Sequence, residues 1–171
     1  MCIRDRLAPV IEKAVAATLE MQGWAHQLKH NEGGWRYLDL RFPERSGDLS
    51  ITGWQLMFLR SARNAGFDVP EKNIDAAVKF VEGCFFEGEE RNVHAYLPKN
   101  KRACTRAMAG AGILAMAHAG KHDSKEAVAS GEWILKHDFS NYNDDTPIFG
   151  AHWADEHYPV SYTHLTLPTK A

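Results

Sequence analysis

Hydrophobic positions along the chain fall into two alternating kinds of helical pattern. Residues 9–28 place Ile11, Ala14, Val15, Thr18, Leu19 and Gln22 at helical spacing, with Pro9 suited to a first turn and Glu12, Lys13 and Glu20 turned outward. This predicts an amphipathic helix. A Gly-rich turn follows at Glu32-Gly33-Gly34-Trp35-Arg36-Tyr37, then a polar loop with Pro43 and Gly47. From about Asp48 to Ala65 a second helix carries Ile51, Trp54, Phe58, Ala62 and Ala65 on one face, while Leu49, Leu56, Met57 and Leu59 spread round the others. A helix that is apolar nearly all round belongs in an interior. Gly66 supplies its C-terminal cap. Beyond Pro70, residues 71–84 set Ile74, Ala77, Val78 and Val81 at i, i+3, i+4 and i+7 with charges opposite, the pattern of an outer, half-solvated helix.

The pair then recurs. Residues 102–119 predict another apolar helix, ending in Ala119-Gly120 where the first ended in Ala65-Gly66. Residues 124–137 predict another amphipathic one, with Val128, Gly131, Ile134 and Leu135 facing in. Gly66 and Gly120 stand 54 residues apart, as do Asp48 and Arg102. The chain therefore reads as an internal repeat of buried helix, short loop, surface helix and long loop. The apolar stretch 103–119 is not a membrane span. It contains Arg106 and His118 and is small-residue-rich between Ala107 and Gly112, whereas a span needs about 20 strongly apolar residues. Small residues instead let neighbouring helices approach closely. Two architectures fit, a helical solenoid and a closed α/α toroid with an inner apolar ring and an outer amphipathic one. The contrast between the two helix types favours the all-α toroid, of which about two and a half repeats are present and a ring needs more.

Composition narrows the function classes. The chain has 171 residues, a net charge of −2, 44% hydrophobic and 25% charged residues, which excludes a strongly basic nucleic-acid binder. Cys2, Cys84 and Cys104 make no disulfide framework and no zinc-ligand spacing, and leave the redox compartment open. Cys84 and Cys104 read as small buried apolar residues. No cofactor is expected. Residues 1–6 and 160–171 resemble translated sequencing-adaptor tails of the kind found at the ends of metagenomic gene models. The expected organisation is thus an adaptor-like segment at 1–6, a partial repeat domain at 7–159, and a second adaptor-like segment at 160–171.

Two stretches carry a family resemblance. Gln27-x5-Gly33-x-Trp35 resembles the Gln-to-Trp repeat signature of squalene/hopene cyclases, in which Gln and Trp tie an outer helix end to the next turn. Asp48-Leu49-Ser50-Ile51-Thr52-Gly53-Trp54-Gln55, after a Gly-Gly-aromatic turn, is similar to the start of an inner helix in protein prenyltransferase β subunits. The resemblance to this prenyltransferase/squalene-cyclase superfamily covers nearly all of 9–140. It implies the α/α toroid and, for an enzyme, terpene cyclase or prenyltransferase chemistry.

The resemblance also singles out residues. Asp48 stands where prenyltransferases place a zinc-binding Asp, but Ser50 occupies the position of the Cys ligand, and a hydroxyl is a poor zinc ligand, so no metal is expected. Asp48 is then a candidate catalytic carboxylate at the cavity mouth or simply the N-cap of its helix. Tyr142-Asn143-Asp144-Asp145-Thr146 is similar to the Asp-x-Asp-Asp-Thr acid of alkene-protonating cyclases, with tyrosine in place of the first Asp; its Asn, Asp and following Pro147 suit a solvated turn. His152 and His157 are five apart, off the helical spacing that metal ligands use. Trp35, Tyr37, Trp54 and Tyr96 are the candidate ligand-binding aromatics, which in such cyclases stabilise carbocations; the same residues serve as interior packing. The function expected is therefore part of a toroid protein that binds an isoprenoid or other apolar small molecule. The alternatives are a non-catalytic binding or scaffold module, a class II terpene cyclase whose acid lies in further repeats, and a solenoid used for protein contacts.

Overall fold

In the computed structural model, residues 3–27, 33–36, 47–88, 92–98 and 104–136 are described. They form α1 (Ile3–Gln27), α2 (Leu49–Asn64), α3 (Glu71–Gly83), β1 (Phe85–Glu87), β2 (Asn92–His94), α4 (Arg106–His118) and α5 (Lys125–Lys136). The chain is mostly helical, with one antiparallel hairpin in which Phe85 pairs with His94, Phe86 with Val93 and Glu87 with Asn92. That hairpin falls in a stretch expected to be loop. Its strands are three residues each, too short for alternation to stand out against the helical pattern on either side.

The repeat is written most clearly in the helix ends. α2 stops at Ala65 and α4 at Ala119, both with φ −80°. Gly66 and Gly120 then turn left-handed, with φ +88° and +77°. In each case the residue after the glycine reaches back five positions: Phe67 N–H donates to Ala62 O at 3.1 Å, and Lys121 N–H to Met116 O at 2.8 Å. Gly66 N–H and Gly120 N–H add the shorter bonds to Arg63 O and Ala117 O. This is the Schellman arrangement, and glycine fits because a Cβ disfavours positive φ. The second helices of the two pairs, α3 and α5, begin at Glu71 and Lys125, the same 54-residue interval.

Helix starts depart from the sequence expectations. α4 begins at Arg106 rather than 102, because Thr105 is the cap: its Oγ1 accepts from Met108 N–H at 3.1 Å. α2 is consequently 16 residues long and α4 only 13. α1 starts at Ile3, so Pro9 lies inside it rather than in its first turn. A proline in an early turn removes one N–H bond but does not mark where a helix begins.

Packing runs outward from α4, which lies against both α2 and α5. Its buried face is Met108, Ala109, Gly110, Ala111, Gly112, Ala115 and Met116, and the small members allow close approach. A Cβ added to Gly53 of α2 would stand 3.8 Å from Ala111 O. The main core joins Val15, Trp35, Leu49, Leu56, Leu59, Phe80, Val81 and Met116. A second cluster gathers Val93, Ala95, Cys104, Ala109 and Trp133. The inward face of α5 is Ala127, Ser130 and Trp133, not the Val128 and Leu135 face that periodicity suggested. Small Ala127 and Ser130 let α5 sit close to α4 and β2, and that closeness outweighs burial of the two aliphatics. Among the described residues no helix is long and apolar enough to cross a membrane.

Candidate functional site

Of the sequence-nominated residues, Trp35, Asp48 and Tyr96 meet at the head of α2. The approach is the segment 33–36, where Gly33 takes φ +101° and has no room for a Cβ against the Ala76 carbonyl. Gly34 lies equally tightly on the Phe80 ring. Trp35 follows, buried, with its N–H donating to Thr52 Oγ1 at 3.0 Å and its indole N–H to Thr18 O at 3.0 Å. Its carbonyl accepts from Asp48 N–H at 2.9 Å, while the Tyr96 carbonyl accepts from Leu49 N–H at 3.0 Å. Trp35 and Tyr96 thereby satisfy the first two donors at the helix start, groups that have no partner within the helix itself.

Asp48 is fully buried at this junction. Oδ1 accepts from Ile51 N–H at 2.9 Å and from the Ser50 hydroxyl at 2.6 Å. Oδ2 is buried with no hydrogen-bond partner. Cys84 is close enough to feel this carboxylate. Burial pushes its thiol far above the ordinary range, and the Asp48 charge pushes it further the same way. A thiol so placed stays protonated and is no nucleophile. Ser50 therefore has a positive role: its O–H donates to the buried carboxylate. Among the described residues no group of three His, Cys, Asp or Glu side chains is arranged to hold a metal ion.

The aromatics separate. Trp35 is interior and Tyr96 half-buried, packed against the main core. Trp54 is different, 43% exposed on α2. Tyr37, the Asp144-Asp145 string and the His152–His157 stretch lie outside the described residues.

Two polar residues without a sequence signal turn out to organise the structure. Gln22, fully buried on α1, donates from Nε2 to Gly33 O and to Asn73 O, both at 2.9 Å, and accepts from Asn73 Nδ2 at 2.6 Å. Gln22 thus ties α1 to the turn before Trp35 and to α3, while the Gln27 side chain named by the resemblance lies outside what the structure describes. On β2, His94 is fully buried, its Nδ1 2.8 Å from Ser130 Oγ and its backbone N–H donating to the same oxygen at 3.2 Å. The Phe85 ring meets it edge-on at 5.3 Å, and Gly112 lies against the imidazole, where a Cβ would collide with it. Nε2 has no partner. Burial lowers the His94 pKa to about 4, with Glu126 opposing the shift, so the ring is neutral near pH 7. Neither residue stands in a local motif; each acts through partners distant in sequence.

No family model, no curated protein and no solved structure matches the chain.

Proposed function

We propose that the chain is part of a helical-repeat domain of the prenyltransferase/squalene-cyclase type, an α/α toroid in its complete form, and that α2 and α4 contribute to a face that binds an isoprenoid or other apolar ligand. The observation that supports this reading best is the paired repeat: two apolar helices with the same left-handed glycine ending 54 residues apart, each followed by an amphipathic helix. Fold type alone leaves the activity open, so the ligand has to be argued from side chains. Trp54 carries that step. A large indole exposed on a helix whose other large apolar residues are covered or half-covered offers a flat apolar contact with a polar edge.

The head of α2 favours a non-catalytic binding role for these residues. Asp48 spends Oδ1 on its own helix and on Ser50, and its other oxygen is enclosed, so it has no surface on which to meet a substrate. A cyclase of this type would have to draw its acid from elsewhere in the toroid. Equilibrium dialysis against farnesol and farnesyl diphosphate tests the reading: saturable retention of either supports it, and retention of neither contradicts it.

A further inference from the structure

The contact of α5 with β2 is built round an ionisable ring. Of the buried residues of α5, Ala127 and Ser130 are small and Trp133 is the one large anchor, set in the second cluster with Val93, Ala95, Cys104 and Ala109. Ser130 meets His94 instead of an apolar neighbour. Its hydroxyl oxygen accepts the His94 backbone N–H at 3.2 Å and lies 2.8 Å from Nδ1, so one side chain of α5 holds both the strand and the ring. The main core, by contrast, joins α2 to α3 through Leu56, Leu59, Phe80 and Val81 and does not include His94.

The enclosure suits a neutral ring. Phe85 and Gly112 press on the imidazole, and Nε2 is buried with no hydrogen-bond partner. In the neutral ring one nitrogen donates and the other accepts; after protonation both are donors and both need acceptors. Ser130 answers only Nδ1, which leaves a charged N–H at Nε2 unanswered, and a buried unpaired charge is far costlier than a buried unpaired neutral group. The surrounding charges do not remove this cost. Glu126, half-buried one turn before Ser130, is the charge felt at the ring and favours its protonation, but it makes no hydrogen bond to Nε2. Lys125 is paired at the surface with Glu87 of β1 at 2.6 Å, and Glu132 and Lys136 are exposed. On α4, Arg106 and His118 stand six residues either side of Gly112, roughly a third of a turn round the helix from it. Cys104 is a buried thiol of the same cluster.

We propose that the contact of α5 with β2 and α4 is a proton-operated joint: uptake of a proton by His94 lets α5 swing away with Trp133 and bares the small-residue face of α4, while α2 and α3 stay packed. Opening gives the imidazolium water on both nitrogens, and it withdraws a single large side chain from the second cluster. Such an opening is sub-global and lies below the free energy of complete unfolding. It is independent of ligand binding on α2.

Hydrogen exchange of the full chain, read by mass spectrometry at pH 7 and pH 5 and corrected for intrinsic exchange rates, tests this in wild type, His94→Leu and His94→Gln. At both pH values the amides of α5 and β2 should be less protected than those of α2 and α3. Their protection should fall about 20-fold from pH 7 to pH 5, the factor for a ring that titrates near 6.5 when open to water and at about 4 when enclosed. In either variant that keeps the wild-type circular dichroism spectrum at pH 7, the fall should be less than about twofold. Equal protection of α5 and α2 at pH 5 overturns the proposal, because only complete unfolding then exposes the ring, and it leaves the effect of His94 on overall stability standing. Protection of α5 in wild type that does not change with pH, or the same fall in a folded variant, overturns it as well.

Discussion

The side-chain amide of Gln22 grips Asn73 at two points: Asn73 Nδ2 donates to Gln22 Oε1 at 2.6 Å, and Gln22 Nε2 donates to the main-chain carbonyl of Asn73 at 2.9 Å. The same Nε2 reaches Gly33 O, so one buried side chain joins α1, the turn before Trp35 and the first turn of α3. Replacing it by leucine keeps the bulk but strands two carbonyls and an amide. Gln22→Leu should cost about 3 kcal/mol, since each buried unsatisfied group costs about 1–3 kcal/mol. A urea unfolding midpoint within error of wild type would refute this role.

If α2 and α4 end by the same device, their glycines should respond alike. Gly66→Ala and Gly120→Ala each force a Cβ into positive φ, and each should lose about 1 kcal/mol. The sites share no partner, so the double variant should lose the sum. Thermal melts showing one loss several times the other would break the equivalence of the two helix ends.

The buried His94 ties stability to pH. Its native pKa of about 4 lies below the ordinary 6.5, so between these values the unfolded chain takes up a proton that the folded one refuses. The stabilisation is full above pH 6.5 and lost as pH falls towards 4, to a total of roughly 3 kcal/mol at 1.36 kcal/mol per pH unit. Chemical unfolding across this window should show the loss in wild type and a much flatter profile in His94→Leu. Parallel profiles would remove His94 as the cause.

Asp48 separates a cap from a catalyst. Asp48→Asn keeps an oxygen for Ile51 N–H and should lose less stability than Asp48→Ala, which should cost about 2 kcal/mol. Ligand affinity should be unchanged in Asp48→Asn. A folded Asp48→Asn protein that no longer binds farnesol would move the carboxylate from the helix to the ligand.

Period and end signals made much of the fold legible. Ala65-Gly66 and Ala119-Gly120 announced both stops because a left-handed cap needs glycine, and the Ile74, Ala77, Val78, Val81 spacing located the inward side of α3. The inward side of α5 was not legible in the same way. There the closest-packing residues are Ala127 and Ser130, chosen by size and by the bond to His94 rather than by hydrophobicity. At the candidate site, Asp48 could be read as a cap from its place before an apolar run. What could not be read is that Trp35 and Tyr96 reach the same helix head through their backbone carbonyls, because a main-chain bond leaves no residue-type signature. Gln22 was hidden for a related reason: its partners are backbone groups and a side chain remote in sequence.

An apolar ligand held on the exposed face of α2 would be detected by titrating farnesol while following tryptophan emission in wild type and Trp54→Phe. Trp35 and Trp133 are buried and Trp54 is 43% exposed, so the Trp54→Phe comparison isolates the Trp54 signal. A saturable change is expected in wild type, with most of that change lost in Trp54→Phe. No saturable change in wild type, or the same change in both proteins, would contradict it.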